Sequence, residues 1–215
     1  DIFNGSTAKT YLALNDADST WTGSSFARFG KDYAWHGTYL TLQNGATFTN
    51  KSLSKDSTTS RSWHGSFLSE LTGGTSADKA GNIVMENAGT APLRIQKITG
   101  NTNIFYRHED STPAAFSNGN VLIDEASKGA NIRVITASNG ITTSDTTQVK
   151  NVLSALAEKI YYGAKNDTIG DDGKTGNLSG TVEIAEGLTS SSQSLKSTAL
   201  LFNKDAATTV HYDST

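Results

Sequence analysis

The sequence predicts an all-β chain wound as a parallel β-helix, a solenoid in which each turn uses its neighbour as its core. Three observations predict it. Short stretches recur: Trp21-Thr22-Gly23-Ser24, Trp35-His36-Gly37-Thr38 and Trp63-His64-Gly65-Ser66, the last two continuing as Tyr39-Leu40 and Phe67-Leu68. A second self-match sets Gly81-Asn82-Ile83-Val84-Met85-Glu86-Asn87-Ala88 against Gly119-Asn120-Val121-Leu122-Ile123-Asp124-Glu125-Ala126, and resumes as Leu93-Arg94-Ile95 and Ile132-Arg133-Val134. Strand-like segments also follow turns at short spacing through most of the chain, without a helical period. Repetition of this kind marks one structural unit stacked on another, each contacting only its neighbours.

The first elements are residues 10–15 and 38–43. Leu12 and Leu14 alternate with polar or small residues, as do Leu40 and Leu42, so each segment is a short strand with one apolar face. A turn follows each, Asp16-Ala17-Asp18 or Asn44-Gly45-Ala46, and then an aromatic-Thr step, Trp21-Thr22 or Phe48-Thr49. The two blocks lie 28 residues apart at the strand (38 − 10) and 27 at the aromatic (48 − 21), the slip falling in the turn. From residue 81 the repeat lengthens to 38 residues (119 − 81) or 39 (132 − 93), read as two rungs of half that length or as one long rung. Strands are expected at 103–107 and 131–136. Residues 52–62 have little apolar content and read as a protruding loop.

One stretch breaks the β pattern. Val149, Val152, Leu153, Leu156, Ala157, Ile160 and Tyr161 fall at helical spacing, with Asp145 or Thr146 to cap the start and Gly163 just past the end. This predicts one amphipathic helix near 146–162, its apolar stripe covering a core or shielding a sheet edge. A Gly-rich loop follows over 163–177, then strands at 178–184, 197–202 and 209–212. The chain reads as one unit: β-helix rungs over 1–144, a helix-and-loop insertion over 145–177 and further β rungs over 178–215. Its pattern is already under way at Asp1, so an excised or mature piece is expected.

Composition narrows the function classes. The chain has 215 residues, two Pro, 20 Gly and a net charge of −3, so it carries no basic footprint for nucleic acid. Scattered Lys and Arg make an anionic membrane an unsuited partner, and no apolar run reaches the roughly 20 residues that span a bilayer. With no cysteine there are no disulfides, thiolate nucleophiles or Cys-ligated metals. Ser and Thr make up about a quarter of the chain, above ordinary globular usage, in keeping with extracellular β-rich surfaces.

The run Leu40-Thr41-Leu42-Gln43-Asn44-Gly45-Ala46-Thr47-Phe48-Thr49, echoed from Leu12 to Gly23, resembles the passenger repeats of Gram-negative autotransporters, proteins of type V secretion. Ala91-Pro92-Leu93-Arg94-Ile95 followed by Gly100-Asn101-Thr102-Asn103-Ile104-Phe105-Tyr106-Arg107-His108 is similar to a later passenger module. So is the helix followed by Gly180-Thr181-Val182-Glu183-Ile184-Ala185-Glu186-Gly187-Leu188-Thr189. The resemblance implies a right-handed parallel β-helix, carried across the outer membrane by a C-terminal barrel and displayed at the cell surface as an adhesin or biofilm factor. Implied partners are host or bacterial surface glycans or proteins, or further copies of itself, with no nucleic acid and no membrane insertion by this segment. The secretion signal, the barrel and a protease-type motif are not in this sequence.

The remaining constellations weigh little. Trp21, Trp35 and Trp63 would form either a sugar-stacking strip or an internal ladder, and a large apolar group at a repeated position reads as packing. His36 and His64 would face outward beside inward tryptophans, and two imidazoles do not make a metal site. His108-Glu109-Asp110 contains a base and acids by type, but strand neighbours point apart. Asp167, Asp171 and Asp172 lack calcium-loop spacing. Asp110, Asp124, Glu125, Glu183 and Glu186 could supply the paired carboxylates of a glycosidase, yet no spacing links them. No nucleotide-binding Gly motif is present. Four sequons, at Asn4, Asn50, Asn166 and Asn177, are at chance frequency for this composition. The reading is therefore a non-catalytic adhesin or structural passenger with no catalytic residue, cofactor or metal assigned. Its first candidate binding loops are 52–62 and 163–177. The alternatives are a carbohydrate-active β-helix enzyme, lyase or hydrolase, and a repeating subunit of an extracellular filament or surface layer.

Overall fold

The structure, a computed structural model, describes residues 2–4, 9–27, 38–51, 66–85, 93–107, 121–127, 130–137, 159–162, 177–178, 181–182, 197–203 and 209–210. Its elements begin with β1 (Ile2–Asn4), β2 (Thr10–Leu14), β3 (Thr20–Gly23), β4 (Ser25–Ala27), β5 (Thr38–Leu42), β6 (Thr47–Asn50), β7 (Ser66–Thr72) and β8 (Gly81–Met85). They continue with β9 (Leu93–Thr99), β10 (Asn101–Arg107), β11 (Val121–Ala126), β12 (Asn131–Ala137), β13 (Ile160–Tyr162), β14 (Asn177–Leu178), β15 (Thr181–Val182), β16 (Ser197–Asn203) and β17 (Thr209–Val210). A 3-10 turn, Ala77–Lys79, leads into β8.

The described residues are mostly strand, with no α-helix among them, consistent with an all-β chain, and the two main sheets are built largely of parallel strands. From β2 to β13 consecutive strands, β4 aside, fall alternately in two sheets. One is ordered β14-β13-β11-β9-β7-β5-β2 and the other β16-β12-β10-β8-β6-β3. Every pairing from β2 to β13 in the first sheet and from β3 to β12 in the second is parallel. β14 joins β13 and β16 joins β12 antiparallel. Two further parallel pairs stand apart, β1 with β4 and β15 with β17.

The first repeat has the register its sequence indicates. Thr10, Tyr11, Leu12 and Leu14 of β2 lie beside Thr38, Tyr39, Leu40 and Leu42 of β5, and Trp21 of β3 lies beside Phe48 of β6. Two other self-matches do not stack. Tyr39-Leu40 is not set on Phe67-Leu68: the ladder is irregular between Thr38 and Tyr39, and Leu40 pairs with Leu71. Gly81–Met85 and its echo near 121 are β8 and β11, which belong to different sheets. Leu93 stacks on Val121, and Ile132 stacks on Thr102.

The helix expected over 146–162 is corrected at its end. Ile160–Tyr162 is strand β13, aligned with Val121–Ile123 of β11. Ile and Tyr are strand-favouring types, and a waiting parallel edge outweighs helical spacing. Residues 146–158 lie outside the described residues.

Alternation of side chains sends one residue in two inward. The inward ladders run Leu12–Leu40–Leu71–Ile98 in one sheet and Trp21–Phe48–Ile83–Ile104 in the other. Leu40, Leu71, Ile98, Phe48, Ile83 and Ile104 join one cluster at 0–1% exposure, with Leu12, Leu14 and Trp21 packed half-buried against its end. Full burial of such side chains stabilises by about 1.5–3 kcal/mol each relative to exposure.

The corners between sheets use polar side chains and glycine. Asp16 Oδ1 accepts from the backbone N–H of Asp18 (3.1 Å) and Ser19 (2.9 Å), closing the first corner as an Asx turn. One layer on, Asn44 (φ 54°) and Gly45 (φ 81°) turn left-handed. Gly100 (φ 71°) alone separates β9 from β10, and a Cβ there would lie 2.8 Å from the Gly74 carbonyl oxygen.

A second corner is polar inside. The hydroxyls of Ser25 and Thr38 share a hydrogen bond of 2.6 Å, and Ser66 Oγ accepts from the Ser25 N–H (3.3 Å) while donating to Asn50 Oδ1. Asn50 Nδ2 donates to Met85 Sδ (3.8 Å). All four polar residues are at most 1% exposed, so the network carries the hydrogen bonds that burial makes obligatory.

Candidate functional site: the outer faces of the sheets

With the inward positions filled by packing, the outward positions of the sheets remain to meet a partner. On the six-stranded sheet they form two rows. One runs Thr20–Thr47–Asn82–Asn103 and the other Thr22–Thr49–Val84–Phe105. Asn103 Nδ2 donates to Asn82 Oδ1 (3.0 Å), and Asn82 Nδ2 donates to the Gly45 carbonyl (3.1 Å). The row is thus a held strip of amides and hydroxyls.

On the seven-stranded sheet the outward row begins with aromatics. Tyr11 and Tyr39 stack at 4.9 Å between centroids with their planes 29° apart, and Lys9 Nζ lies 5.3 Å from the Tyr39 centroid. Tyr11 is 71% exposed. The row passes to Glu70. Pairs Leu68–Ile95 and Leu71–Ile98 bracket Glu70 against Lys97, and Lys97 lies in register with Glu125. Opposite charges such as Glu70 and Lys97 on neighbouring strands suit one another across a sheet. Elsewhere this face is covered: Ser66, Phe67, Leu68 and Ser69 are all buried on β7, as is Arg94 on β9, and β4 lies against β7.

Trp21 belongs to the core. Its ring stacks on Phe48 at 4.3 Å, 18° from parallel, and packs against the apolar cluster. Trp35, Trp63, His36, His64, His108, Glu109, Asp110, Asp167, Asp171, Asp172, Glu183 and Glu186 lie outside the described residues, as do residues 52–62 and 163–176. Asp124 and Glu125 are consecutive on β11. Of the sequons, Asn50 is 0% exposed, while Asn4 and Asn177 are on β1 and β14.

Among the described residues two titrating groups are shifted. Burial pushes the Tyr106 phenol well above its ordinary range. The Ser76 hydroxyl donates to the Asp78 carboxylate and, with a backbone N–H, holds it below the usual value. No group of three metal-ligating side chains occurs among the described residues. The tyrosine pair and the amide strip were not singled out in sequence, although the repeated Thr-Tyr-Leu carries the first: Tyr beside an inward Leu must face outward. Comparison with family models, curated proteins and solved structures finds no match.

Proposed function

We propose that this chain is a right-handed parallel β-helix of the autotransporter-passenger type, displayed at a cell surface as a non-catalytic adhesin or structural element. The observation that carries the reading is the in-register stack of like residues. Successive strands of each sheet place Tyr on Tyr, Thr on Thr and Asn on Asn at outward positions. Right-handed winding is the rule for parallel strands joined by crossovers. A repeated polar row offers many weak, identical contacts, which suits avidity rather than turnover. Its partners are surface glycans or proteins, or the same rows on neighbouring copies.

The test coats inert beads with the purified chain and scores clustering, together with binding to a panel of glycans and host surface proteins. Clustering or binding that falls when Thr49→Lys and Lys97→Glu are combined, with unchanged circular dichroism, supports the reading. Inert beads across the panel, or adhesion indifferent to both substitutions, would sink it. Cleavage of a polysaccharide by the same preparation, abolished by a single carboxylate substitution, would put an enzyme in its place.

A further inference from the structure

We infer that Asn44 is a conformation-gated deamidation site: the native corner keeps its amide intact, and opening of that corner lets it convert irreversibly to aspartate or isoaspartate. The inference rests on the corner geometry and is independent of the adhesive reading.

Asn44 and Gly45 lie in the corner between β5 and β6. An Asn-Gly step is the sequence in which asparagine closes most easily on its own backbone, because Gly has no Cβ to hinder the approach. The Gly45 nitrogen attacks Asn44 Cγ, and the new N–Cγ bond makes a cyclic imide. The Cγ–Nδ2 bond breaks, and Nδ2 leaves as ammonia with the proton given up by the Gly45 N–H. Water then opens the ring. Opening on one side leaves aspartate; opening at the main-chain carbonyl leaves isoaspartate, in which the chain runs through the side-chain carbon. Either product carries a new carboxylate, and nothing is oxidised or reduced.

The fold holds the reacting atoms apart. The order β7-β5-β2 sets this corner between two others, the β2–β3 corner on one side and the β7–β8 corner on the other. The Asn44 side chain is drawn to the first, where Nδ2 donates to the Asn15 carbonyl (3.0 Å). The nucleophile is drawn to the second, where the Gly45 N–H donates to the Ala80 carbonyl (2.9 Å) and the Asn44 N–H to the Lys79 carbonyl (2.8 Å). Between these clips the backbone is fixed in a left-handed pair, φ 54° and 81°. Closure needs the Gly45 nitrogen freed, Nδ2 released and Cγ swung toward that nitrogen, so both clips must open together. Asn44 is exposed, so geometry rather than exclusion of water protects it.

Conversion also bars the way back. A carboxylate at position 44 turns an acceptor toward the Asn15 carbonyl where a donor stood. Asp16 and Asp18 already place carboxylates in that neighbouring corner, which Gly45 approaches so that a Cβ on it would lie 3.4 Å from the Ala17 Cβ. Isoaspartate adds a main-chain atom to a corner that spans only residues 43–46. Each opening that reaches the imide is therefore recorded as a permanent loss of the corner.

The test incubates the 215-residue chain at mildly alkaline pH, folded in buffer and unfolded in guanidinium chloride. Tryptic peptide 32–51 carries this Asn-Gly step and no other, the remaining three falling at 4–5, 118–119 and 139–140. Mass spectrometry with chromatographic separation of aspartate from isoaspartate reads its conversion. Conversion is expected to be at least about tenfold slower in the folded chain, the ratio following the opening free energy. As denaturant is added below the unfolding midpoint, the rate should rise in step with hydrogen exchange at the Gly45 N–H. Equal rates in the folded and unfolded chain would overturn the proposal, as would a folded-state rate indifferent to that exchange. Asn44→Asp, which makes one product directly, is expected to lower the urea midpoint, and an unchanged midpoint would overturn the one-way loss of the corner.

Discussion

Thr102→Val is expected to stabilise the protein. Thr102 is the second residue of β10, set between Gly81 of β8 and Ile132 of β12, and it is 1% exposed. Among the described residues its hydroxyl oxygen is the one buried side-chain polar atom without a hydrogen-bond partner. Gly73 crowds it so closely that a Cβ there would lie 2.7 Å from the oxygen. A buried, unpaired hydroxyl costs about 1–3 kcal/mol. Valine keeps the branched shape and replaces that oxygen with a methyl, whose burial contributes up to about 0.8 kcal/mol. The methyl is slightly larger in a tight site, which takes back part of the gain, leaving about 1–2 kcal/mol. Thr102→Ser keeps the oxygen and drops the methyl, and is expected to destabilise by about 1 kcal/mol. Urea unfolding with an unchanged m-value measures both. In thermal unfolding the valine gain corresponds to roughly 2–8 °C for a chain of this size. If valine destabilises by more than about 1 kcal/mol while serine is neutral, the oxygen is satisfied by a buried water and the reasoning fails.

Three further outcomes are expected. Ser66→Ala removes the hydrogen bonds that Ser66 Oγ donates to Asn50 Oδ1 and accepts from the Ser25 N–H in a buried corner, and should cost about 1–3 kcal/mol by urea unfolding; a change under a few tenths would show that the corner repairs itself. Gly100→Ala places a Cβ at φ 71° and 2.8 Å from the Gly74 carbonyl oxygen, so a loss of about 1–2 kcal/mol or more is expected, read as a lowered unfolding midpoint. Tyr106 has its phenol pKa raised by burial, so above about pH 10 the unfolded chain releases a proton that the folded chain retains. Its contribution to stability is complete below that pH and declines as pH rises further. Unfolding midpoints measured from pH 8 to 11 should fall less steeply in Tyr106→Phe, and equal slopes would refute the assignment.

The strands expected at 103–107, 131–136 and 197–202 are present as β10, β12 and β16, but register was legible only in the first repeat. Thr-Tyr-Leu-x-Leu, a turn and an aromatic-Thr step gave the true register because each layer there has the same lengths, and only the corner absorbs the slip between 28 and 27. The later self-match misled for a physical reason. Strands of both sheets bury aliphatic residues two apart, so Gly81–Met85 resembles the segment at Val121 by strand type rather than by position in the stack. Corner lengths also change, from Gly100 alone to a longer connection with a 3-10 turn, and local periodicity cannot register that. Residues 160–162 satisfied helical spacing and a strand equally. Only the exposed ladder of β11, far away in sequence, decided between them. At the outer face, Trp21 drew attention by size but packs on Phe48, while the exposed ring is Tyr11, stacked on a half-buried Tyr39.

The two ends of the stack differ, and that bears on how copies would assemble. At one end the parallel order stops by reversal: β16 runs antiparallel along all seven residues of β12, and β14 runs antiparallel to β13. At the other end β2 and β3 keep the parallel order and are the terminal strands of their sheets among the described residues. A filament would need the reversed end of each copy to dock on the β2 and β3 end of the next, a head-to-tail contact that repeats without closing. Electron microscopy of concentrated protein tests for such a contact directly: discrete particles are expected, and long ordered fibres would restore the filament reading.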